Sequence, residues 1–273
     1  MSTSLSGALE IRGAADALLD EPLLLHARGA GPDAAVVWQA RYLDDDARVW
    51  RASATHAQDL STGWAPAKAG TGSLAALASL RPVGVEVRVQ GEDGRTATRT
   101  LTRRLLGQGV RLRRWRDLTA TLHLPAAGAT PPVCAVVIDA TAGATEAQVA
   151  ALAAPLLAAR GVLTLTVGPD WAGGDAGERM ALARERLAAV PVATGDLVVL
   201  PAAHPSADPA GAPAPVVVLP PGVGARRARP GDAADRAAAW DALLATLGAR
   251  PRESGTHLAD PAAGPAVDAH PTA

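Results

Sequence analysis

The sequence predicts two unlike halves: a β-sandwich of roughly immunoglobulin size over residues 1–118, then a reduced parallel-sheet α/β domain over 119–248. Three observations predict this. Short segments alternating apolar and polar residues, separated by Gly- and Asp-rich turns, fill the first half without an amphipathic helix. The composition changes at Pro125-Ala-Ala-Gly-Ala-Thr-Pro131-Pro132, which reads as a surface linker. Beyond it, apolar runs alternate with helical segments, as in βαβ units. Residues 249–273 are rich in Pro, Gly and Ala with no apolar period, and read as a disordered tail.

In the first half the strand candidates are 9–11, 22–27, 35–42, 49–56, 83–90 and 95–106, with 118–124 at the boundary. Val83, Val85, Val87 and Val89 fall on one face, with Glu86 and Arg88 opposite. Turns at 29–33, 44–46 and 91–94 separate these segments. Asp16, Asp20, Glu21 and the 44–46 aspartates lack the spacing of a metal loop and read as turn charges.

In the second half, 133–138 is an apolar run. Thr145 with Gln148 has the pattern of a capping box before a helix carrying Val149, Leu152 and Leu156 on one face. Gly161 closes that helix, and 162–167 is the next strand. Asp175 with Glu178 starts another helix, running to about Ala189 and stopped by Pro191. Residues 215–219 read as a further strand. A last helix over 231–247 places Trp240, Leu243, Leu244 and Leu247 on one face, which predicts Trp240 buried against the sheet.

Composition excludes several classes of function. The formal net charge of −1 leaves no global field for nucleic acid or an anionic membrane surface. The single cysteine, Cys134, excludes an internal disulfide framework and reads as a buried, inert thiol. No ligand set for a metal or cofactor stands out. No run reaches the length of a membrane span, and the opening residues lack a secretion-signal pattern, so the cytoplasm is the expected compartment. With no phenylalanine and one tyrosine, the six tryptophans must carry the aromatic packing.

The most informative stretch is Gly195 to Gly211. Asp196-Leu197-Val198-Val199-Leu200 is a short apolar run ending abruptly in a turn, as a buried parallel strand does. In α/β-hydrolases such a strand enters a Gly-x-Ser-x-Gly elbow that presents the nucleophile. The corresponding residues here are Pro201, Ala202, Ala203, His204 and Pro205. Ala203 stands at the nucleophile position, and proline at both glycine positions cannot supply the strained or positive φ of an elbow. Prolines at 201, 205, 209, 213 and 215 exclude the helix that normally follows and helps hold the oxyanion.

His204 has two readings: an exposed turn histidine between two prolines, or a base at the carboxyl end of a strand. Ser206 and Asp208 complete the residue types of a triad, at a spacing that does not make a relay. The 140–145 turn, with Gly143 and Ala144, occupies the position from which hydrolases supply an oxyanion N–H. It is either an anion-binding turn or simply a turn. The arginines at 99, 103, 104, 111, 113, 114 and 116 read as solvated faces or interdomain pairs in preference to a site for CoA phosphates or nucleic acid.

Several segments together resemble one family. They are Asp20-Glu21-Pro22-Leu-Leu-Leu-His-Ala-Arg28-Gly29, Trp50-Arg-Ala-Ser-Ala54, Asp59-Leu60-Ser-Thr-Gly63, Arg111-Leu-Arg-Arg-Trp-Arg116 and Leu122-His-Leu-Pro125. In order, they resemble the acyl-CoA thioester hydrolases and bile acid-CoA:amino acid N-acyltransferases, loosely over 1–200 and again at the Trp240 helix. The resemblance implies an immunoglobulin-like sandwich followed by an α/β-hydrolase-like domain, here reduced. It also implies acyl-CoA or a related thioester as substrate and serine-hydrolase chemistry without a cofactor. No serine matches the nucleophile. In a second alignment Ala203-His204-Pro205 resembles the family's late "GH" loop, making His204 the catalytic histidine and the elbow, lid and acid segment deletions. The expectation is a divergent, catalytically impaired relative of these enzymes. The alternative is a non-catalytic binding or scaffold protein using the sandwich as its interaction surface.

Overall fold

The computed structural model describes residues 8–31, 34–55, 60, 64–68, 74–115, 119–127, 135–168, 175–191, 197–202, 216–225 and 232–252. These residues are mostly β, in three sheets. β1 (Glu10–Arg12) and β3 (His26–Arg28) form an antiparallel ribbon. A six-stranded sheet has the order β2 (Asp16–Leu18), β8 (Thr96–Arg104), β7 (Val83–Gly91), β4 (Val36–Leu43), β5 (Val49–Thr55), β6 (Ala65–Pro66). A five-stranded sheet has the order β13 (Leu197–Pro201), β11 (Ala135–Asp139), β12 (Leu163–Val167), β10 (Ala120–Leu124), β9 (Arg111–Trp115). The helices are α1 (Ala144–Ala159), α2 (Ala176–Ala188) and α3 (Asp232–Thr246).

The six-stranded sheet has one dry and one wet face, as its period-2 pattern dictates. Val36, Trp38, Ala40 and Tyr42 of β4 are buried, as are the four alternating valines of β7. Among the described residues, the first half otherwise forms only the two-stranded ribbon, because β9, although it precedes residue 118, pairs with β10 and belongs to the five-stranded sheet. Much of the cover for the dry face comes from the second half of the chain. Val136, Ile138, Leu156, Val217, Leu219, Trp240 and Leu244 belong to the same buried cluster as Trp38 and Trp50. Alternate residues of β11 point the other way, so Val137 joins Leu122, Leu163 and Leu165 under Ala183 and Leu187 of α2. The five-stranded sheet is thus buried on both sides at its centre, which explains why β11 is an unbroken apolar run up to Asp139.

Two tryptophans at the heart of this core each donate an indole N–H to a buried aspartate. Trp240 Nε1 meets Asp20 Oδ2 at 3.0 Å, and Trp50 Nε1 meets Asp44 Oδ2 at 2.9 Å. Asp20 is therefore no turn charge. Its side chain has no exposed surface, and the buried Arg160 guanidinium binds it through Nη2 (3.0 Å) and Nε (3.3 Å). Arg160 also reaches Glu21 at 3.2 Å, and Arg252 donates to the Asp20 carbonyl at 3.1 Å. Asp44 likewise accepts from the backbone N–H of Ala76 and from the N–H and Nε of Arg48. Burial alone would raise the Asp44 carboxyl. The Trp50 indole, these N–H groups and the Arg48 charge outweigh burial and hold it below its ordinary range.

The two halves are laid together by 217–225. Any Cβ on Gly222 would overlap the Leu19 carbonyl, and one on Gly224 would overlap the Trp50 ring, so only glycine permits this approach. Gly224 donates to the Tyr42 hydroxyl at 3.1 Å and accepts from the Ala75 N–H at 2.9 Å. Burial holds the Tyr42 hydroxyl protonated well above its ordinary range.

Local signals fare unevenly. Asp175 caps α2, its carboxylate accepting from the Glu178 N–H at 2.9 Å. The Thr145–Gln148 box does not form. Gly143 is the N-cap without a side-chain bond, Thr145 lies inside α1, and Gln148 donates to the Ala75 carbonyl instead. The strand expected at 215–219 is, over its described part, a single parallel bridge from Val217 to Ala202. Past Gly248 the chain stays attached through Arg252, with Arg250 N donating to Arg160 O at 3.0 Å and Arg252 paired with Asp241. The rest of the expected tail lies outside the described residues.

Two expectations follow from this packing. Trp240→Ala should cost about 3–5 kcal/mol, whereas Trp240→Phe, which keeps an aromatic ring but withdraws the indole N–H from Asp20 and a small part of the buried volume, should cost about 1–3 kcal/mol; urea unfolding measures both. Residues 1–118 expressed alone lose Arg160, Trp240 and the Gly222–Gly224 contacts, and should show no cooperative melting. A sharp transition in that fragment would mean that its sheet closes a core unaided.

Candidate functional site

Open parallel sheets hold ligands at the carboxyl ends of their strands. Here β11 runs parallel to β12, from Ala135↔Leu163 to Asp139↔Val167, and to β13, from Ala135↔Leu197 to Asp139↔Pro201. Their carboxyl ends bring together Asp139, the 140–143 turn, Gly168 and Ala202. The edge is tied by Ala140 N to Val167 O (3.0 Å), Ala202 N to Asp139 O (2.9 Å) and Val217 N to Pro201 O (2.9 Å).

Sequence reasoning passed over Asp139, the half-buried carboxylate at this edge. Its Oδ1 accepts from the Thr141 hydroxyl at 2.6 Å and the Thr141 N–H at 3.0 Å, which shapes the turn into α1. An aspartate ending an apolar run, two residues before a threonine, is the signal that was available. Gly143 and Ala144 lie on the same edge. Gly143 is extended (φ 173°, ψ 178°), and Ala144 is the first residue of α1. Among the described residues, the N–H groups of Ala142 and Gly143 have no partner. Glu146, in the first turn of α1, brings Oε2 to 2.9 Å from where a Cβ on Gly143 would stand. A carboxylate there already complements the helix dipole that an oxyanion would otherwise use.

Ala203, His204, Ser206 and Asp208 lie outside the described residues, as do Cys134 and Arg116. The strand leading to Ala203 is parallel, as expected, yet it is not a buried one. In β13 only Leu200 is buried, and Val199 is 38% exposed. Among the described residues no group of three or more His, Cys, Asp or Glu side chains is placed to hold a metal ion. A cleft of about 280 Å³, lined by Pro22, Asp241, Leu244, Ala249 and Arg252, lies at the opposite end of the sheet, beside Arg160 at the amino end of β12.

The arginine run divides. Arg99 binds the carbonyls of Ile11 and Gly13, Arg103 binds those of Leu19 and Glu21, and Arg104 pairs with Asp16 at 2.7 Å. Arg111, Arg113 and Arg114 are exposed on β9.

A scan against models of protein families gives no match, and neither does a search of curated proteins. No helix of the described residues is long and apolar enough to cross a membrane.

One buried titratable group stands outside the carboxyl edge. His123 of β10 is 3% exposed, and its Nδ1 has no hydrogen-bond partner among the described residues. Burial pushes its imidazole down to about 4, against weaker opposing contributions from the backbone of Thr164 and Thr121. The folded value lies below the unfolded value of about 6.5. As pH falls through that window the unfolded chain takes up a proton that the folded chain refuses, so stability falls. The loss approaches about 3 kcal/mol by pH 4. The stability difference between His123→Leu and wild type should therefore move by that amount in the variant's favour between pH 7 and pH 4. A difference independent of pH would show that His123 does not titrate in this way.

Proposed function

We propose that this chain is a divergent relative of the acyl-CoA thioester hydrolases and bile acid-CoA:amino acid N-acyltransferases that has lost serine-hydrolase catalysis. The observation carrying the reading is the strand order β9-β10-β12-β11-β13, with β10 antiparallel to both neighbours and β11, β12 and β13 mutually parallel. That order, with that one reversed strand, matches the first five strands of an α/β-hydrolase sheet. On this reading β13 is the strand leading to the elbow, and the β11–α1 turn is the oxyanion turn. The six-stranded sheet with the β1–β3 ribbon stands where the family has its immunoglobulin-like sandwich. The compartment is the cytoplasm, and the ancestral substrate an acyl-CoA thioester.

Acyl transfer needs a nucleophile, a base and oxyanion donors converging on one point. Ala203 offers a methyl group where the nucleophile belongs. Prolines at 201 and 205 replace the elbow glycines, and the Glu146 carboxylate opposes an anion beside Gly143 and Ala144. His204 is the one general base that the elbow segment retains. The second reading, a non-catalytic binding protein, is favoured by Val37 and Leu43, which stand exposed on the wet face of β4.

Purified protein should hydrolyse no acyl-CoA above background and take no label from a fluorophosphonate probe. Ala203→Ser alone should restore neither, because the flanking prolines still shape the turn. Turnover by wild type that vanishes in His204→Ala would overturn this reading and place a working site at His204.

A further inference from the structure

β9 is the outermost strand of the five-stranded sheet, and among the described residues it pairs with β10 alone. Among the described residues, its outer row of N–H and C=O groups has no strand partner. The side chains along it are Arg111, Leu112, Arg113 and Arg114, all exposed, and Trp115, half-buried against the α2-side cluster. Arg111, Arg113 and Arg114 have no ion-pair or hydrogen-bond partner among the described residues. Several arginines on other strands are engaged, Arg12 with Glu10, Arg41 with Glu86 and Arg104 with Asp16, and those without a described partner, such as Arg51 and Arg88, are not clustered on one strand. In a chain of net charge −1, three free guanidinium groups within five residues are a local concentration.

A charged edge guards against self-association, and this one does so strongly. Antiparallel pairing with a second copy about Arg113 would set arginine against arginine. The same charge selects an opposite partner. We propose that β9 is a docking edge for an extended acidic segment of another protein, which adds antiparallel as a sixth strand. Arg111, Arg113 and Trp115 share one face, and Leu112 and Arg114 the other. Residues directly opposite one another share a face. The matching segment therefore reads apolar-acid-acid-apolar-acid, its acids opposite the three arginines and its apolar residues opposite Trp115 and Leu112. Strand addition draws affinity from the backbone row and specificity from these alternating side chains. A nucleic acid supplies the charge without the peptide backbone, and half-buried Trp115 offers it little ring surface to stack on. This inference does not rest on the enzymatic ancestry proposed above.

The test uses the full chain and an end-blocked, fluorescein-labelled peptide, Thr-Val-Glu-Glu-Val-Glu-Thr, followed by anisotropy. Binding should be saturable and weaken with added salt. Arg113→Glu or Arg114→Glu should weaken it at least about tenfold while leaving the melting curve unchanged, since both side chains are exposed. N-methylating the peptide at the alternate residues whose N–H groups face β9 should abolish it. Three results would overturn the proposal: no binding, equal binding by the N-methylated peptide, or equally tight binding by a single-stranded oligonucleotide of the same charge.

Discussion

The Asp20 carboxylate sits where no water reaches it, and the structure converges on it. Arg160 arrives from the end of α1, Trp240 from the middle of α3, and Arg252 from the segment beyond α3, binding the Asp20 carbonyl. A buried charge is tolerated only when it is paired and hydrogen-bonded. Those partners fix how α1 and α3 lie against the dry face of the six-stranded sheet. Asp44 repeats the device with Trp50 and Arg48, and ties the 74–76 segment to the β4–β5 turn. In a chain without phenylalanine, large indoles fill the core. The two aspartates supply acceptors for the indole N–H groups of Trp50 and Trp240, while that of buried Trp38 has no partner among the described residues.

The carboxyl edge of the five-stranded sheet has the geometry of a ligand site with little of the chemistry. Asp139 is spent on shaping its own turn through Thr141, and Glu146 stands over the helix N-terminus. What lies at this edge stabilises the strand-to-helix connection. The surface with uncommitted charge is elsewhere, on β9.

Regular elements were legible because burial imposes a period. The valines of β7, the face of α3 and the Asp175 cap each follow from local spacing that tertiary packing left intact. Three features were not legible, each for a physical reason. The two apolar residues of β9, Leu112 and Trp115, stand three apart and so on opposite faces of the strand, and no period-2 pattern marks it. Asp20 and Glu21 look like turn charges because their partners Arg160 and Trp240 are remote in sequence. Thr145 and Gln148 spell a capping box, but helix α1 starts two residues before Thr145's expected first turn and Gln148 finds the Ala75 carbonyl. At the candidate site, the strands and the Gly143 turn were legible; Asp139 carried only the weak Asp-x-Thr turn signal, and Glu146, an ordinary first-turn acid, carried none.

The separation of Asp20 from its partners also orders events in time. Arg160 is 140 residues downstream and Trp240 is 220. During synthesis the aspartate leaves the ribosome long before either. The same late elements that supply these partners also cover the dry face of the six-stranded sheet, so until they arrive the carboxylate keeps its water. Its burial and its pairing are therefore completed together, and no intermediate stage needs to hold a bare buried charge.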